Sequence, residues 1–200
     1  MDAHKEVQEA IINLEAKLNI RKGFFDTLLK EDDWSFVIKS HALLESVISS
    51  LLTNHFDHEC LIDIFSRLEL GNKKYGKIAF IKALDMLNSD ERRFISAFSE
   101  LRNFLIHNVS NVDFNFTNYI TTLDSNQKKE FINSYGYCYL TEDDKGKPKV
   151  DHREKILSDP KKTIWLSLKY ILAIISLTID TIRLRIQTEM FKKKTAELLK

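Results

Sequence analysis

Residues 31–56 read EDDWSFVIKSHALLESVISSLLTNHF, and this stretch decides the fold. Its apolar residues cover most of a helix circumference, and the remaining positions carry serines rather than the lysines of a solvated face. Asp33 is a suitable N-cap, because its short carboxylate can accept hydrogen bonds from the first free backbone N–H groups. The pattern predicts a helix of about five turns that other helices enclose on nearly all sides.

Glycine and proline are scarce throughout the chain. The 200 residues include five glycines and two prolines, which leaves little turn material and favours long helices. With 44% hydrophobic residues, the chain can form one full core but not comfortably two. We therefore expect an all-α, up-and-down helical bundle in one domain over residues 1–200, with a core at about 33–108 and 160–186 and a partly irregular insertion at about 109–160.

The charge and the cysteines argue against several functional classes. Thirty basic and twenty-nine acidic residues give a net charge of +1, so no whole-protein electrostatic attraction draws the chain to nucleic acid. Cys60 and Cys138 lack any metal-ligand spacing, which predicts neither a zinc site nor a disulfide framework. The first residues lack the apolar segment of a signal peptide. These features favour a cytoplasmic protein with no cofactor and no bound metal.

Amphipathic spacing predicts further helices on both sides of the central one. The insertion differs in character: it has the turn signal DDKGKP, a helical fragment near 126–134, and two extended segments at about 135–140 and 147–151 that could form a hairpin. The predicted helices cover residues 2–19, 24–30, 58–68, YGKIAFIKALDML at 75–87, 89–107 with Ser89 as N-cap, and a long final helix starting one residue after Pro160.

The final helix has an apolar run from Ile164 to Ile182 that approaches membrane-span length. Lys169 and Asp180 interrupt this run, and Asp180 can pair with Arg183 one turn later. A buried bundle helix or a dimer seam explains the run better than a membrane span. We therefore expect no membrane association.

The stretch SELRNFLIHN at 99–108 closes the helix that starts near Ser89. At about 100° per residue, one face of this helix is apolar and forms its core side. The opposite face has short polar side chains, which suggests that it lies against a partner helix, a second subunit or a ligand. The core face contains Phe94, Ala97, Phe98, Leu101 and Leu105, and the polar face contains Ser96, Ser99, Asn103 and His107, with Glu100 at its edge.

Arg102, Asn103 and His107 together could cleave RNA without a metal. Histidine side chains exchange protons near neutral pH, arginine binds phosphate oxygens, and asparagine can orient either group. On a straight helix, however, Arg102 and His107 diverge by about 140°, so convergence needs a distorted helix end or a second copy of the helix across a two-fold axis. The alternative is structural, because Arg and His at a helix C-terminus also interact favourably with its dipole and free carbonyls.

LRNFLIHN resembles the motif of the HEPN superfamily, in which Arg, a polar residue and His follow at this spacing. SHALLESVISSLL resembles the earlier core helix of that superfamily, with Glu45 in the place of its acidic residue. Together with KIAFIKALDML and SLKYILAIISL, these stretches are similar to the mannitol operon repressor-like branch of HEPN proteins. The resemblance covers most of residues 33–185 and does not extend to the insertion.

The resemblance implies an α-helical homodimer in which motif residues of both subunits face one cleft. It makes His107 the catalytic acid or base, Arg102 the phosphate-binding group and Asn103 the positioning residue, with Glu45 holding Arg102 in place. Ser99, on the polar face of the same helix, is a further supporting residue. The expected function is a metal-independent endoribonuclease that cleaves single-stranded RNA in a toxin or defence context, alone or with an antitoxin or other protein partner. The alternative is a catalytically inactive transcriptional regulator of the mannitol-repressor type or a protein-interaction module.

Overall fold

A computed structural model describes residues 3–139 and 152–198 of the chain. The described residues form ten α-helices and no strand, which confirms the all-α bundle. Short 3-10 turns at 28–30, 59–61, 109–113 and 137–139 connect several of them. The helices are α1 (Ala3–Lys17), α2 (Phe24–Thr27), α3 (Asp33–Phe56), α4 (Ile62–Arg67), α5 (Lys77–Ala83), α6 (Ser89–Ile106), α7 (Phe116–Thr122), α8 (Ser125–Tyr135), α9 (Arg153–Ser158) and α10 (Pro160–Leu198).

The helix predicted from residues 31–56 is α3, and it lies at the centre of the fold. Its N-cap is Asp32 rather than Asp33, and the Asp32 carboxylate accepts a 2.8 Å hydrogen bond from the backbone N–H of Ser35. The helix ends before Asp57, whose left-handed backbone (φ 53°) stops it. α3 packs against α4, α5, α6 and α10, so its apolar circumference is buried from several sides.

α10 runs beside α3 in the same direction. Lys161 pairs with Asp33 near one end of α3, and Arg183 Nε donates a 2.7 Å hydrogen bond to Asn54 Oδ1 near the other. The predicted pairing of Asp180 with Arg183 is wrong, because Asp180 instead binds Lys17 of α1 at 2.6 Å. α1 therefore covers α10 on a side that α3 leaves open.

Within the described residues, α3 and α10 are both long and apolar enough to cross a membrane by length and composition alone. Most of the apolar stretch of each is buried against the rest of the chain. Core helices of water-soluble proteins have the same property, so this finding does not indicate a membrane.

The described part of the insertion is helical, and the predicted fragment at 126–134 lies within α8. The extended segment expected at 135–140 is wrong over residues 135–139, where α8 ends and a 3-10 turn follows. The tyrosines that alternate there as in a strand pack on the bundle instead: Tyr135 is buried, and the Tyr137 hydroxyl donates to the Ser167 carbonyl at 3.1 Å. The segment expected at 147–151 lies outside the described residues.

Candidate active site between α3 and α6

α6 begins with a capping box, which fixes the register of the whole motif. Asn88, not the expected Ser89, is the N-cap: its side chain accepts from the backbone N–H groups of Asp90 and Glu91. The Glu91 carboxylate accepts in return from the Asn88 backbone N–H at 2.7 Å. From this start, the apolar face points inward as predicted, with Phe94, Phe98, Leu101 and Leu105 buried and Ala97 half-buried.

Ser99 does not belong to an outer polar face. It is buried, its hydroxyl donates to the Ile95 carbonyl at 2.8 Å, and the same oxygen lies 3.1 Å from His41 Nε2 of α3. Gly71 approaches the same serine so closely that an added Cβ would lie 2.7 Å from Ser99 Cβ. The predicted polar face is therefore divided, with Ser99 turned toward α3 and Asn103 and His107 toward solvent.

A polar cleft of about 300 Å³ lies beside Ser99. One wall is α3, which contributes His41 and Glu45, and the other is α6, which contributes Arg102 and Asn103. Residues 66–72, which comprise the end of α4 and the loop that follows it, close the cleft on a third side. Four of the five predicted site residues thus line one cleft on the protein surface: Glu45, Ser99, Arg102 and Asn103.

Arg102 is half-buried at this cleft and is held by its neighbour. Its Nη1 atom donates a 3.0 Å hydrogen bond to Asn103 Oδ1. This bond orients the guanidinium plane and uses one of its N–H groups. The other N–H groups of Arg102 are not used by Asn103. An arginine side chain oriented in this way can present its remaining N–H groups to an anion.

Glu45 lies in the same cleft, where it forms an ion pair with Lys77 and lies near His41. The fully buried Lys77 Nζ is 2.7 Å from Glu45 Oε1, and His41 Nδ1 is 3.9 Å from Glu45 Oε2. Glu45 therefore neutralises a buried cation from α5 while it faces the space that Arg102 occupies. Among the described residues, Glu45 has no hydrogen bond or ion pair with Arg102, so its expected support of Arg102 stays a prediction.

His41 is a member of the site that the sequence did not reveal. Burial lowers its pKa to about 4, with further lowering from the nearby Arg102 and Lys77 charges and a partial offset from Glu45. The imidazole is therefore neutral at pH 7, and it forms an uncharged hydrogen bond with Ser99. The available signal was its position one turn before Glu45 inside an otherwise apolar helix.

His107 lies apart from this cleft. It is the C-cap of α6, its backbone N–H donates to the Asn103 carbonyl at 3.2 Å, and its side chain is exposed. It does not line the polar cleft that contains Arg102. The step of five positions from Arg102 to His107 corresponds to about 140° of rotation and about 7.5 Å of rise on a helix, as the sequence predicted. One chain therefore does not bring Arg102 and His107 to a common point.

Four exposed apolar side chains lie within five residues of His107 along the chain. The turn after α6 is pinned by Asn111, whose Nδ2 atom donates to the Phe104 carbonyl at 2.8 Å. This turn presents apolar groups next to those at the end of α6. We call this surface the α6-end patch; its exposed apolar members are Phe104, Ile106, Val109 and Val112.

Two further findings complete the description of the site. Among residues 3–139 and 152–198, no three His, Cys, Asp or Glu side chains form a group that could hold a metal ion. The chain matches no known family model, no curated protein and no solved structure.

Proposed function

We propose that this protein is a metal-independent endoribonuclease of HEPN type that cleaves single-stranded RNA as a symmetric dimer. The observation that carries the proposal is that the two parts of the expected active site lie on different surfaces of the same helix, α6. Arg102 and Asn103 lie in a polar cleft, and His107 lies a turn further on within an apolar exposed patch. A second copy packed on the α6-end patch would place its own His107 next to this cleft.

The exposed apolar side chains of the α6-end patch support the pairing of two copies through this surface. Large contiguous patches of exposed apolar surface are uncommon on monomeric soluble proteins and often mark interaction sites. Pairing across a two-fold axis brings the same patch of both copies together, so each Arg102 gains a histidine from the other copy. The site then contains a cation, an amide and an imidazole within one partly desolvated space.

The reaction that these groups support is transesterification. The ribose 2′-oxygen attacks phosphorus, the bond from phosphorus to the 5′-oxygen breaks, and the products carry a 2′,3′-cyclic phosphate and a 5′-hydroxyl. His107 transfers the proton that leaves the 2′-hydroxyl or reaches the 5′-oxygen. Arg102 stabilises the charge that develops on the phosphorane oxygens, and Asn103 orients Arg102.

Glu45 and Ser99 are positioning residues in this proposal. Ser99 fixes the spacing of α6 against α3 through His41, and Glu45 holds the buried Lys77 charge beneath the cleft. The resemblance to HEPN proteins further suggests a toxin or defence role in the cytoplasm and control by an antitoxin or other protein partner.

The test is cleavage of a labelled single-stranded RNA in the presence of EDTA. We expect cleavage by the wild type, loss of at least about a hundredfold in rate with His107→Ala, a comparable loss with Arg102→Ala, and cyclic phosphate ends on the products. His58→Ala is the matched control, since His58 is also exposed but lies beyond the far end of α3. Equal cleavage by wild type and His107→Ala would overturn the proposal.

One observation favours the second candidate, a non-catalytic regulator or interaction module. Within a single chain, Arg102 and His107 do not share a cleft, so a chain that never pairs through α6 has no complete site. Two results together would support this candidate: the wild-type protein cleaves no RNA, and the Arg102→Ala variant has the same effect on cells as the wild type.

A further inference from the structure

The second half of α10 extends beyond the helices that cover its first half. Up to Ile182, buried residues recur at regular intervals along α10. Between residues 183 and 198, every side chain is exposed except that of Ile186, which is partly buried. An isolated helical segment of about 15 residues is marginally stable in water. Contact with another helix would stabilise this extension.

Exposed apolar residues recur every seven positions along α10. Tyr170, Leu177, Leu184, Phe191 and Leu198 lie on one stripe, and all five are exposed although they are large and apolar. The stripe begins on the part of α10 that belongs to the bundle and continues along the extension. A strict seven-residue repeat over four heptads is the signature of a left-handed coiled coil.

A second set of residues alternates with these at spacings of four and three. Ile174, Thr181, Thr188 and Thr195 occupy the a positions when the first set occupies the d positions. The hydroxyls of the three threonines each donate to the carbonyl four residues earlier, at 2.8 to 3.0 Å. Because their hydrogen bonds are made within the helix, these threonines can bury their methyl groups in an interface without leaving a polar atom unpaired. We call the two sets together the α10 seam.

The charged residues that flank the seam favour one arrangement of two α10 helices. In a parallel pair, a g position contacts the e position five residues later on the other helix. Asp180 of one copy would then meet Arg185 of the other, and Gln187 would meet Lys192, with no like-charge contact. In an antiparallel pair centred on Leu184, the two Arg185 side chains would face each other. The charge pattern therefore complements itself in the parallel orientation.

We propose that the α10 seam pairs with the α10 seam of a second copy as a parallel two-stranded coiled coil. The seam spans about 42 Å at 1.5 Å per residue, which is long enough for an autonomous coiled coil. Asp180 keeps its bond to Lys17 and is still partly exposed, so it is accessible to the arginine of the other copy.

This contact is separate from the one under "Proposed function". The seam shares no residue with the polar cleft or with the α6-end patch. If both two-fold contacts form and their axes meet at right angles, the chain assembles into tetramers. Loss of the seam would then leave dimers that still cleave RNA, so failure of one proposal can be distinguished from failure of the other.

The experiment measures the mass of the full-length chain by sedimentation across a range of concentrations. Leu184→Glu and Phe191→Glu place a charge in the seam at side chains that are 63% and 72% exposed, so the fold of the bundle is preserved. We expect each to halve the mass of the assembly and to raise its dissociation constant more than tenfold. Met190→Glu is the matched control, because Met190 is a 55% exposed apolar residue on the same extension but off the seam.

Orientation is tested by cross-linking of Thr188→Cys in a Cys60→Ser background, which removes an exposed competing thiol. A parallel seam places the two introduced thiols opposite each other, and mild oxidation should link most of the dimer. A chain that is monomeric at all concentrations, a Met190→Glu effect equal to that of Leu184→Glu, or absence of the cross-link would each overturn the proposal. Binding of an acidic amphipathic helix to a chain that stays monomeric alone would likewise overturn self-pairing.

Discussion

The Lys77 ammonium group is fully buried, and it lies 2.7 Å from Glu45 Oε1, whose side chain is 30% exposed. This ion pair joins α5 to α3 beneath the polar cleft. The two partners are not equivalent, because water can reach the carboxylate but not the ammonium. Loss of the carboxylate therefore leaves an uncompensated buried charge, whereas loss of the ammonium leaves an anion that water can still solvate.

This asymmetry predicts unequal effects of removing either partner. We expect Glu45→Met to lower the free energy of unfolding by about 3 kcal/mol and Lys77→Met by about 1 kcal/mol. Urea unfolding at pH 7 measures both. The double variant should be more stable than the sum of the single losses implies, since it contains neither unpaired charge. Equal losses for the two single variants would contradict the assignment of Lys77 as the desolvated partner.

The buried imidazole of His41 predicts a pH-dependent stability. Its pKa is about 4 in the folded protein and near 6.5 in the unfolded chain, so below pH 6.5 the unfolded chain binds more protons. The resulting stabilisation is complete above pH 6.5, declines as the pH falls, and is lost by about pH 4. Up to about 3 kcal/mol depends on this one group.

Comparison with His41→Gln isolates the histidine, since the amide can still bond Ser99 and does not titrate. The free energy of unfolding should fall less steeply between pH 6.5 and 4 in this variant than in the wild type. Carboxylates that titrate over the same range, such as Glu91 with its raised pKa, contribute to both curves and cancel in the difference. If the free energy of unfolding depends on pH in the same way in both proteins, His41 is protonated as readily in the folded protein as in the unfolded chain.

Asp33 joins three elements at the N-terminal end of α3. Its Oδ2 atom accepts a 2.8 Å hydrogen bond from the backbone N–H of Phe116 in α7, and its Oδ1 atom lies 3.1 Å from Lys161 Nζ in α10. Asp33→Asn keeps an acceptor for Phe116 but loses the ion pair, whereas Asp33→Ala loses both. We expect losses of about 1 and about 2–3 kcal/mol in thermal or urea unfolding. Lys161→Met removes the ion pair and also the hydrogen bond from Lys161 Nζ to the Glu31 carbonyl, so its loss should be at least as large as that of Asp33→Asn.

Subunit complementation tests whether the proposed active site takes Arg102 from one copy and His107 from the other. Arg102→Ala and His107→Ala should each be inactive alone. A mixed dimer then contains one site with both groups intact, so refolding an equal mixture should restore about a quarter of wild-type cleavage. No restoration, despite mixed dimers shown by mass, would place both groups in one chain or rule out the composite site.

The helical elements could be located from the sequence because their signals are local. The spacing of apolar residues in α3, α6 and α10 is a property of each segment, and it indicated which side of α6 would be buried. The N-caps were each misplaced by one residue, at Asp32 and at Asn88, because neighbouring Asp, Asn and Ser residues can all accept the same backbone hydrogen bonds. Alternating tyrosines at 135–139 suggested a strand, and this prediction was wrong. The same alternation occurs where aromatic side chains pack on a neighbouring helix, so it does not by itself identify a strand.

Local patterns in the sequence were enough to predict that the chain is helical and that Arg102 and His107 diverge on α6. Both follow from residue spacing and helix geometry, which require no knowledge of the neighbouring elements. Only the tertiary structure decided that Ser99 turns inward, that His41 is neutral, and that Glu45 binds Lys77. The reason is that burial and charge pairing depend on which helices meet, and residues as distant as 41, 77 and 99 are brought together by the packing of α5 and α6 on α3.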